Sequence, residues 1–193
     1  MEILALSATI KGILLAVLIV GGVGLIIGIV LGIAGKFFAV EVNETEAAIR
    51  AIAEYNGPCY VRLGRAGVNV INDRPEYKFE IGKGIELKEG NDVTLFATGI
   101  MVDVAIEAVE ALAKEGINAR LINIHTIKPI DSELILKAAK ETGAIVTLEE
   151  HNIIGGLGSA VAEVVGGEYP VPVVRVGVKD TFGESGKPDQ LLK

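Results

Sequence analysis

The sequence predicts an α/β protein with two dissimilar parts: a single transmembrane helix, followed by a three-layer domain built on a mostly parallel sheet. Three observations lead to this fold class. A run of 24 residues without a charge extends from Gly12 to Gly35. Beyond it, short apolar segments rich in β-branched residues alternate with segments of helical periodicity. Glycine and polar capping residues separate these segments at short intervals, as is typical of a parallel sheet with helices on both faces.

The uncharged run has the length of a membrane anchor. As a helix it would extend roughly 36 Å at about 1.5 Å per residue, which exceeds a hydrocarbon core about 30 Å thick. It is too long for a cleaved secretory signal, and it has no polar face that a soluble helix would need. Residues 1–42 are therefore predicted to be a single-pass anchor that enters the membrane through residues 12–35. Lys11 lies before the run and Lys36 and Arg50 lie after it, which favours a cytoplasmic location for the C-terminal part.

Three glycines of this run, Gly24, Gly28 and Gly32, lie on one stripe of the predicted helix. Such spacing allows a second transmembrane helix to approach closely, so a helical partner is one interpretation. The other is that glycine is simply common in membrane helices. The sequence leaves both open.

Charge and cysteine content exclude several functions. The formal net charge is −7, and residues 1–42 contain two lysines and two glutamates, so the whole net charge lies on residues 43–193. An acidic surface of this kind argues against a nucleic-acid partner. Cys59 is the single cysteine, which excludes an internal disulfide and a multi-cysteine zinc or iron–sulfur site.

The segment after the anchor predicts a helix, a strand and a turn-rich connector. Residues 44–55 have helical spacing, and Gly57-Pro58 ends the helix. Residues 59–63 are apolar and β-rich, which predicts a strand. Short β-like pieces at 79–81 and 85–87 predict a hairpin or an edge strand, and a domain boundary is predicted near residue 75.

From Asp92 onwards the pattern is regular. Strands are predicted at 93–97, 119–124, 144–148 and 171–176, with helices between them. Gly116 and Gly143 are placed to end the first two helices, Asp131 to begin the second, and a third helix is predicted to start near Gly158. The inward positions predicted for the first helix are Val102, Ala105, Ile106, Val109, Leu112 and Ala113, and those for the second are Leu134, Ile135 and Ala138.

Candidate functional residues are few. The run Gly155–Ser159 follows a strand and opens a helix, so its backbone could bind an anion, but it lacks a dinucleotide or P-loop fingerprint and tight packing is favoured. His125 and His151 each follow a strand end, where loop hydrogen bonding or an interface role is favoured over catalysis. Glu149-Glu150 could be a base or a solvated strand end, and the second is favoured.

Arg65 is the candidate with the clearest ligand chemistry. It follows an apolar strand and Gly64, whose lack of a side chain leaves room for a phosphate or carboxylate to reach the guanidinium fork. No catalytic, cofactor-binding or metal-binding residue is predicted in the chain.

Four blocks of sequence resemble the C-terminal section of transketolase, in the family's order. The resemblance extends from about Asn43 to the last residue. The blocks are Gly57–Arg65, His125–Asp131, Glu149–Ala160 and Asp180–Gly186.

This resemblance implies a remnant of a pyrimidine-binding domain at 43–74 and a transketolase C-terminal α/β domain at 75–193. It also implies that Arg65 contacts the phosphate of a sugar substrate. The family uses thiamine diphosphate and a divalent metal, but the sequence has no Gly-Asp-Gly metal motif and is too short for both cofactor-binding domains. The chain is therefore expected to bind no cofactor and to be inactive alone. Its expected partner is an amino-terminal transketolase section, or further copies of itself.

Residues 13–42 resemble the amino-terminal membrane helix of the B subunit of Rnf-type electron-transport complexes. The iron–sulfur domain that follows this helix in that family is absent, so electron transfer through bound clusters is excluded. Two alternatives remain open beside a tethered transketolase section. One is a membrane-anchored subunit that docks to an Rnf-type complex, and the other is a fusion without a selected function.

Overall fold

The computed structural model describes residues 42–63, 69–72, 77–183 and 185–186. The chain divides into two compact units, Met1–Glu80 and Ile81–Lys193. Four helices are described, which are α1 (Val42–Glu54), α2 (Met101–Lys114), α3 (Ser132–Thr142) and α4 (Leu157–Glu168). The five described strands are β1 (Ile85–Lys88), β2 (Val93–Ala97), β3 (Ala119–Asn123), β4 (Ile145–Asn152) and β5 (Val173–Val178).

The described part of the first unit is helix α1 and the irregular segments that follow it. Asn72 is buried, and its side-chain amide donates to Glu44 Oε2 at 3.3 Å. Its carbonyl accepts from the side chain of Asn43 at 3.4 Å. These two hydrogen bonds connect residues 69–72 to the first turn of α1. The helix itself was predicted at residues 44–55.

The strand predicted at residues 59–63 is not formed, so this prediction is wrong. The segment has no regular structure, and the side chain of Tyr60 is 89% exposed. A strand needs a neighbour that accepts and donates its ladder hydrogen bonds. The described residues of the first unit contain no strand that could serve as this neighbour.

The second unit is a five-stranded sheet in the order β1-β3-β2-β4-β5. Strand β1 is antiparallel to β3, and the remaining neighbours are parallel. The predicted edge strand near residues 85–87 is therefore confirmed as β1. Strand β5 was predicted to start at Val171 and starts two residues later, where Val173 pairs with Ile145.

Helices cover both faces of this sheet and complete three layers. Helices α3 and α4 pack together on one face over a core that includes Phe96 and Ile122. Because side chains alternate along a strand, the buried neighbours Leu95 and Leu121 point to the other face, which α2 covers. The buried residues of α2 are Met101, Val102, Ala105 and Val109.

The ends of these helices follow local capping rules. Asp131 accepts from the backbone N–H of Leu134 at 3.2 Å and so caps α3. Gly143 ends α3 in the left-handed region at φ 68°, and Gly116 follows α2 at φ 82°. All three were predicted from sequence. Ala113, predicted to face inward, is exposed instead.

The predicted single-pass membrane localisation is contradicted by the described residues. None of their helices is long and apolar enough to cross a bilayer. The longest of them has 14 residues, or roughly 21 Å at about 1.5 Å per residue, against a hydrocarbon core about 30 Å thick. The run 12–35, with Gly24, Gly28 and Gly32, lies outside the described residues.

Candidate functional site

The carboxyl edge of the parallel sheet is where the topology favours a site. Strands β2 and β4 are neighbours, but the chain leaves β2 for α2 on one face and leaves β4 for α4 on the other. Loops that diverge in this way open a crevice between the strand ends. The end of β4 brings Glu149, Glu150 and His151 to this edge, and His125 follows β3.

Glu149 caps helix α4 from inside the protein. Its side chain is 3% exposed, and its two carboxylate oxygens accept from the backbone N–H groups of Leu157 at 2.8 Å and Gly158 at 2.9 Å. These N–H groups would otherwise lack a partner at the helix start. The carboxylate also places a negative charge at the positive end of the helix dipole. Glu149 thus occupies the position that an anion would take.

The glycines at this helix start are required by packing. A Cβ on Gly156 would lie 1.9 Å from Glu149 Oε2, and one on Gly158 would lie 2.7 Å from Thr147 Oγ1 and from Arg175 Cγ. The run Gly155–Ser159 is therefore a close strand-to-helix junction, as the packing interpretation predicted. Its anion-binding interpretation is not supported, since Glu149 uses the first N–H groups.

The loop before α4 is held by its own polar groups. Asn152 Oδ1 accepts from the backbone N–H of Ile154 at 2.8 Å, and its amide donates to Asp180 at 3.1 Å. The hydroxyl of Ser159 accepts from Gly155 N–H at 2.9 Å and donates to the carbonyl of Ile153 at 3.2 Å. This network fixes the loop and leaves Glu150 and His151 exposed beside it.

The two histidines do not form a pair, because His125 follows β3 whereas His151 lies on β4. Strand β2 separates β3 from β4, so the strands that lead to them are about 10 Å apart at about 4.8 Å per neighbour. His125 Nδ1 and Thr126 Oγ1 are 2.8 Å apart, within hydrogen-bond distance. Burial lowers the pKa of His125 from 6.5 to about 4. His125 is therefore neutral at pH 7.

The low pKa of His125 predicts a specific pH dependence of stability. The folded pKa lies below the unfolded one, so unfolding takes up a proton between them. The stabilisation is complete above about pH 6.5 and is lost as the pH falls from there towards 4, with a slope of at most about 1.4 kcal/mol per pH unit. We expect His125→Gln to flatten the free energy of unfolding measured in urea across this window. His151→Gln, at an exposed position, is the control, and an unchanged slope in His125→Gln would contradict the assignment.

The amino edge of the sheet holds a cavity of about 330 Å³ lined in part by Arg120 and Lys137. Arg120 is nearly buried and already has two carboxylate partners. Its Nε lies 3.4 Å from Glu86 Oε1, and its Nη1 contacts Glu141. These ion pairs connect Arg120 on β3 to Glu86 on β1 and to Glu141 on α3. Arg120 therefore has a structural role.

The described residues do not fit a thiamine diphosphate or metal site. No group of three or more His, Cys, Asp or Glu side chains that could hold a metal ion occurs among them. The sequence also has no Gly-Asp-Gly. Arg65, the predicted substrate-binding residue, lies outside the described residues.

The fold and the sequence together define the class of protein. Residues 82–193 match the family model of the transketolase C-terminal domain. The chain therefore belongs to the transketolase C-terminal domain family, and the predicted resemblance to it is confirmed.

Three relatives are informative. The chain is 48% identical over 153 residues to the 6-deoxy-6-sulfo-D-fructose transketolase subunit SqwH of Clostridium sp. (strain MSTE9), covering 79% of this chain and 47% of that protein. It is 48% identical over 155 residues to a putative transketolase C-terminal section of Methanocaldococcus jannaschii, covering 79% and 48%. A solved structure described as a split gene transketolase, inactive beta4 tetramer, matches with a TM-score of 0.76 and 52% identity over 81% of this chain and 51% of that one.

The chain spans about half the length of these relatives. All three are transketolase subunits or sections, which supports the predicted transketolase C-terminal section. The resemblance of residues 13–42 to an Rnf subunit has no such support. The alternatives of an Rnf-docking subunit and of a fusion without function are not favoured.

Proposed function

We propose that this chain is the C-terminal part of a split transketolase and takes part in ketol transfer only when another chain supplies the cofactor-binding sections. The observation that carries the proposal is the match of residues 82–193 to the transketolase C-terminal domain. The chain spans about half the length of its relatives. Thiamine diphosphate and a divalent metal would be bound by the other chain. When bound there, the cofactor would supply the nucleophile for ketol transfer, and the present chain would provide structural support and contacts to substrate.

The domain organisation follows from this proposal. Residues 43–74 would be the end of a pyrimidine-binding domain and residues 75–193 the C-terminal domain. The exposure of Tyr60, at 89% in an irregular segment of β-forming residues, supports this assignment. A segment of β-forming residues that has no neighbouring strand is expected to leave such side chains uncovered. An amino-terminal transketolase section could cover it.

Association with such a section is the direct test. The full chain, mixed with a separately expressed amino-terminal transketolase section, is expected to elute with it from a size-exclusion column as one complex. Mixing with an unrelated acidic protein of similar size controls for non-specific binding. Separate elution of the two chains at micromolar concentrations would contradict the proposal.

Arg65 would contact the terminal anionic group of the sugar in the assembled enzyme. Guanidinium groups bind phosphate through two parallel charge-assisted hydrogen bonds, and a sulfonate, as in the sulfosugar named for the Clostridium relative, offers similar oxygens. The proposal therefore specifies a ketose or aldose with a negatively charged end. An assay with phosphorylated and sulfonated sugars would decide whether the substrate carries a phosphate or a sulfonate.

Loss of Arg65 is expected to reduce use of the charged sugar specifically. A contact of this kind contributes about 1.5–3 kcal/mol, so Arg65→Ala should lower kcat/KM for a phosphorylated acceptor by about 10- to 150-fold, mainly through KM. Arg62→Ala, at an exposed arginine three residues earlier, is the matched control. Equal effects of the two substitutions, or an equal loss with an uncharged acceptor, would remove Arg65 from the substrate site.

Self-association is the second part of the proposal. The relative that is 52% identical is described as a beta4 tetramer and as inactive. We infer that the present chain also associates with copies of itself in the absence of the amino-terminal section. This state would be inactive because it lacks the cofactor-binding sections.

A further inference from the structure

Asn56 is followed directly by Gly57, and the pair lies in an exposed segment just beyond helix α1. The helix ends at Glu54, and residues 55–63 form neither helix nor strand. The chain has eight asparagines, and Asn56 is the one that precedes a glycine. Within the described part of the chain, Asn56 is exposed and its side chain forms no hydrogen bond. Its side-chain amide is therefore free to turn back towards the backbone.

The backbone nitrogen of Gly57 is the group that this side chain would meet. Its N–H donates to the carbonyl of Tyr55 at 3.2 Å, which closes a three-residue turn centred on Asn56. Because both residues of the pair are exposed, water can compete for this N–H group. Gly57 also has no side chain that would cover the nitrogen. A nucleophilic nitrogen and an unrestrained amide carbon are thus adjacent in an open segment.

We propose that Asn56 is a site of spontaneous deamidation. The Gly57 nitrogen gives up its proton to water and attacks the side-chain carbonyl carbon of Asn56. The new bond closes a succinimide ring, and the bond from this carbon to the side-chain nitrogen breaks and releases ammonia. Water then opens the ring, which yields aspartate when the new bond breaks and isoaspartate when the original peptide bond breaks. Water is the only co-reactant, and no oxidation or reduction occurs.

The modification places a new carboxylate two residues beyond the end of α1. The carbonyl end of a helix carries a partial negative charge, so a further negative charge there is unfavourable. Helix α1 has no basic residue in its last turn to offset it. The product is also a more acidic chain, since the formal net charge is already −7. Deamidation therefore makes α1 less stable, and this inference does not depend on the proposed function.

Asn152 is the internal control for this reaction. Its side-chain amide donates to Asp180 at 3.1 Å, and its Oδ1 accepts from the backbone N–H of Ile154 at 2.8 Å. The next residue, Ile153, is β-branched and covers the nitrogen that would attack. Breaking both hydrogen bonds to free the amide slows the reaction by at least about 10-fold.

Mass spectrometry after incubation of the full chain at neutral pH measures both sites in one sample. Trypsin yields peptides 51–62 and 141–175, each of which contains one asparagine. We expect the peptide with Asn56 to gain the mass of deamidation at least about 10-fold faster than the peptide with Asn152. Aspartate and isoaspartate forms of the first peptide should both appear and separate by chromatography. Equal rates at the two sites, or aspartate alone, would overturn the inference.

Gly57→Ala is the variant that tests the attacking nitrogen while keeping the asparagine. The added Cβ would lie 2.8 Å from Tyr55 Cε1, at the end of an exposed ring that can turn away. The variant should lower the rate at Asn56 several-fold and leave the rate at Asn152 unchanged. An unchanged rate at Asn56 would contradict the attack by residue 57. Because the segment is irregular, Asn56→Gln provides a second variant, whose longer side chain should abolish the isoaspartate product in peptide 51–62.

Discussion

Replacing Gly90 by alanine is expected to reduce the free energy of unfolding by about 3 kcal/mol or more, at the upper end of the cost of overpacking. A Cβ at this position would lie 2.3 Å from the carbonyl carbon of Ala119, 2.3 Å from the nitrogen of Arg120 and 2.6 Å from the oxygen of Ala119. These are backbone atoms at the start of β3, an interior strand of the sheet. They cannot move without disturbing the pairing of β3 with β1 and β2, so no side-chain rotation relieves the contact.

The control for this substitution is Gly166→Ala in the last turn of α4. Nothing lies within 4 Å of a Cβ there, and alanine is favoured over glycine in a helix by about 0.5–1 kcal/mol. Urea denaturation of the two variants should therefore shift in opposite directions. If Gly90→Ala were as stable as the wild type, the close contact between residue 90 and the start of β3 would be contradicted.

Loss of the Glu149 carboxylate is expected to have the second largest effect. Glu149→Ala leaves the N–H groups of Leu157 and Gly158 without their acceptor in a buried site. Hydrogen bonds to a charged group contribute about 1.5–3 kcal/mol each, and capping interactions about 1 kcal/mol. We therefore expect the free energy of unfolding to fall by about 2–4 kcal/mol, with α4 losing amide-exchange protection first.

Glu150→Ala is the matched control, because it removes a neighbouring carboxylate that is exposed. Its effect should stay within about 0.5 kcal/mol. Glu149→Gln keeps one acceptor oxygen but directs an NH₂ group at the second N–H, so an intermediate loss is expected. Equal stability of Glu149→Ala and Glu150→Ala would contradict the buried cap.

The features that could be predicted from sequence are those that local chemistry determines. Strand β2 was predicted with its observed bounds because a short apolar run follows Asp92 and precedes Gly99. The cap by Asp131 and the left-handed Gly143 follow from short-range hydrogen bonding and backbone freedom. Each depends on residues within a few positions, so the tertiary structure did not change it.

The features that could not be predicted depend on distant parts of the chain. Residues 59–63 have the composition of a strand, but strand formation also requires a partner, and composition does not reveal one. Glu149 and Glu150 are adjacent residues of the same type, so the sequence alone does not show which of them is buried. Only the position of α4 makes one of them a buried cap and leaves the other in solvent. The exposure of Val174, Val176 and Val178 on β5 could not be predicted either. An alternating strand has the same sequence pattern whether helices cover one face of the sheet or both.

The central claim is that this chain is a working section of a split transketolase. The most direct test is a ketol-transfer assay on the chain alone and mixed with an amino-terminal transketolase section, each with and without thiamine diphosphate. We predict activity only in the mixture with the cofactor, and none for either chain alone. Activity that is absent from the mixture, with the two chains shown to be folded, would contradict the account, as would cofactor-dependent activity of this chain without its partner.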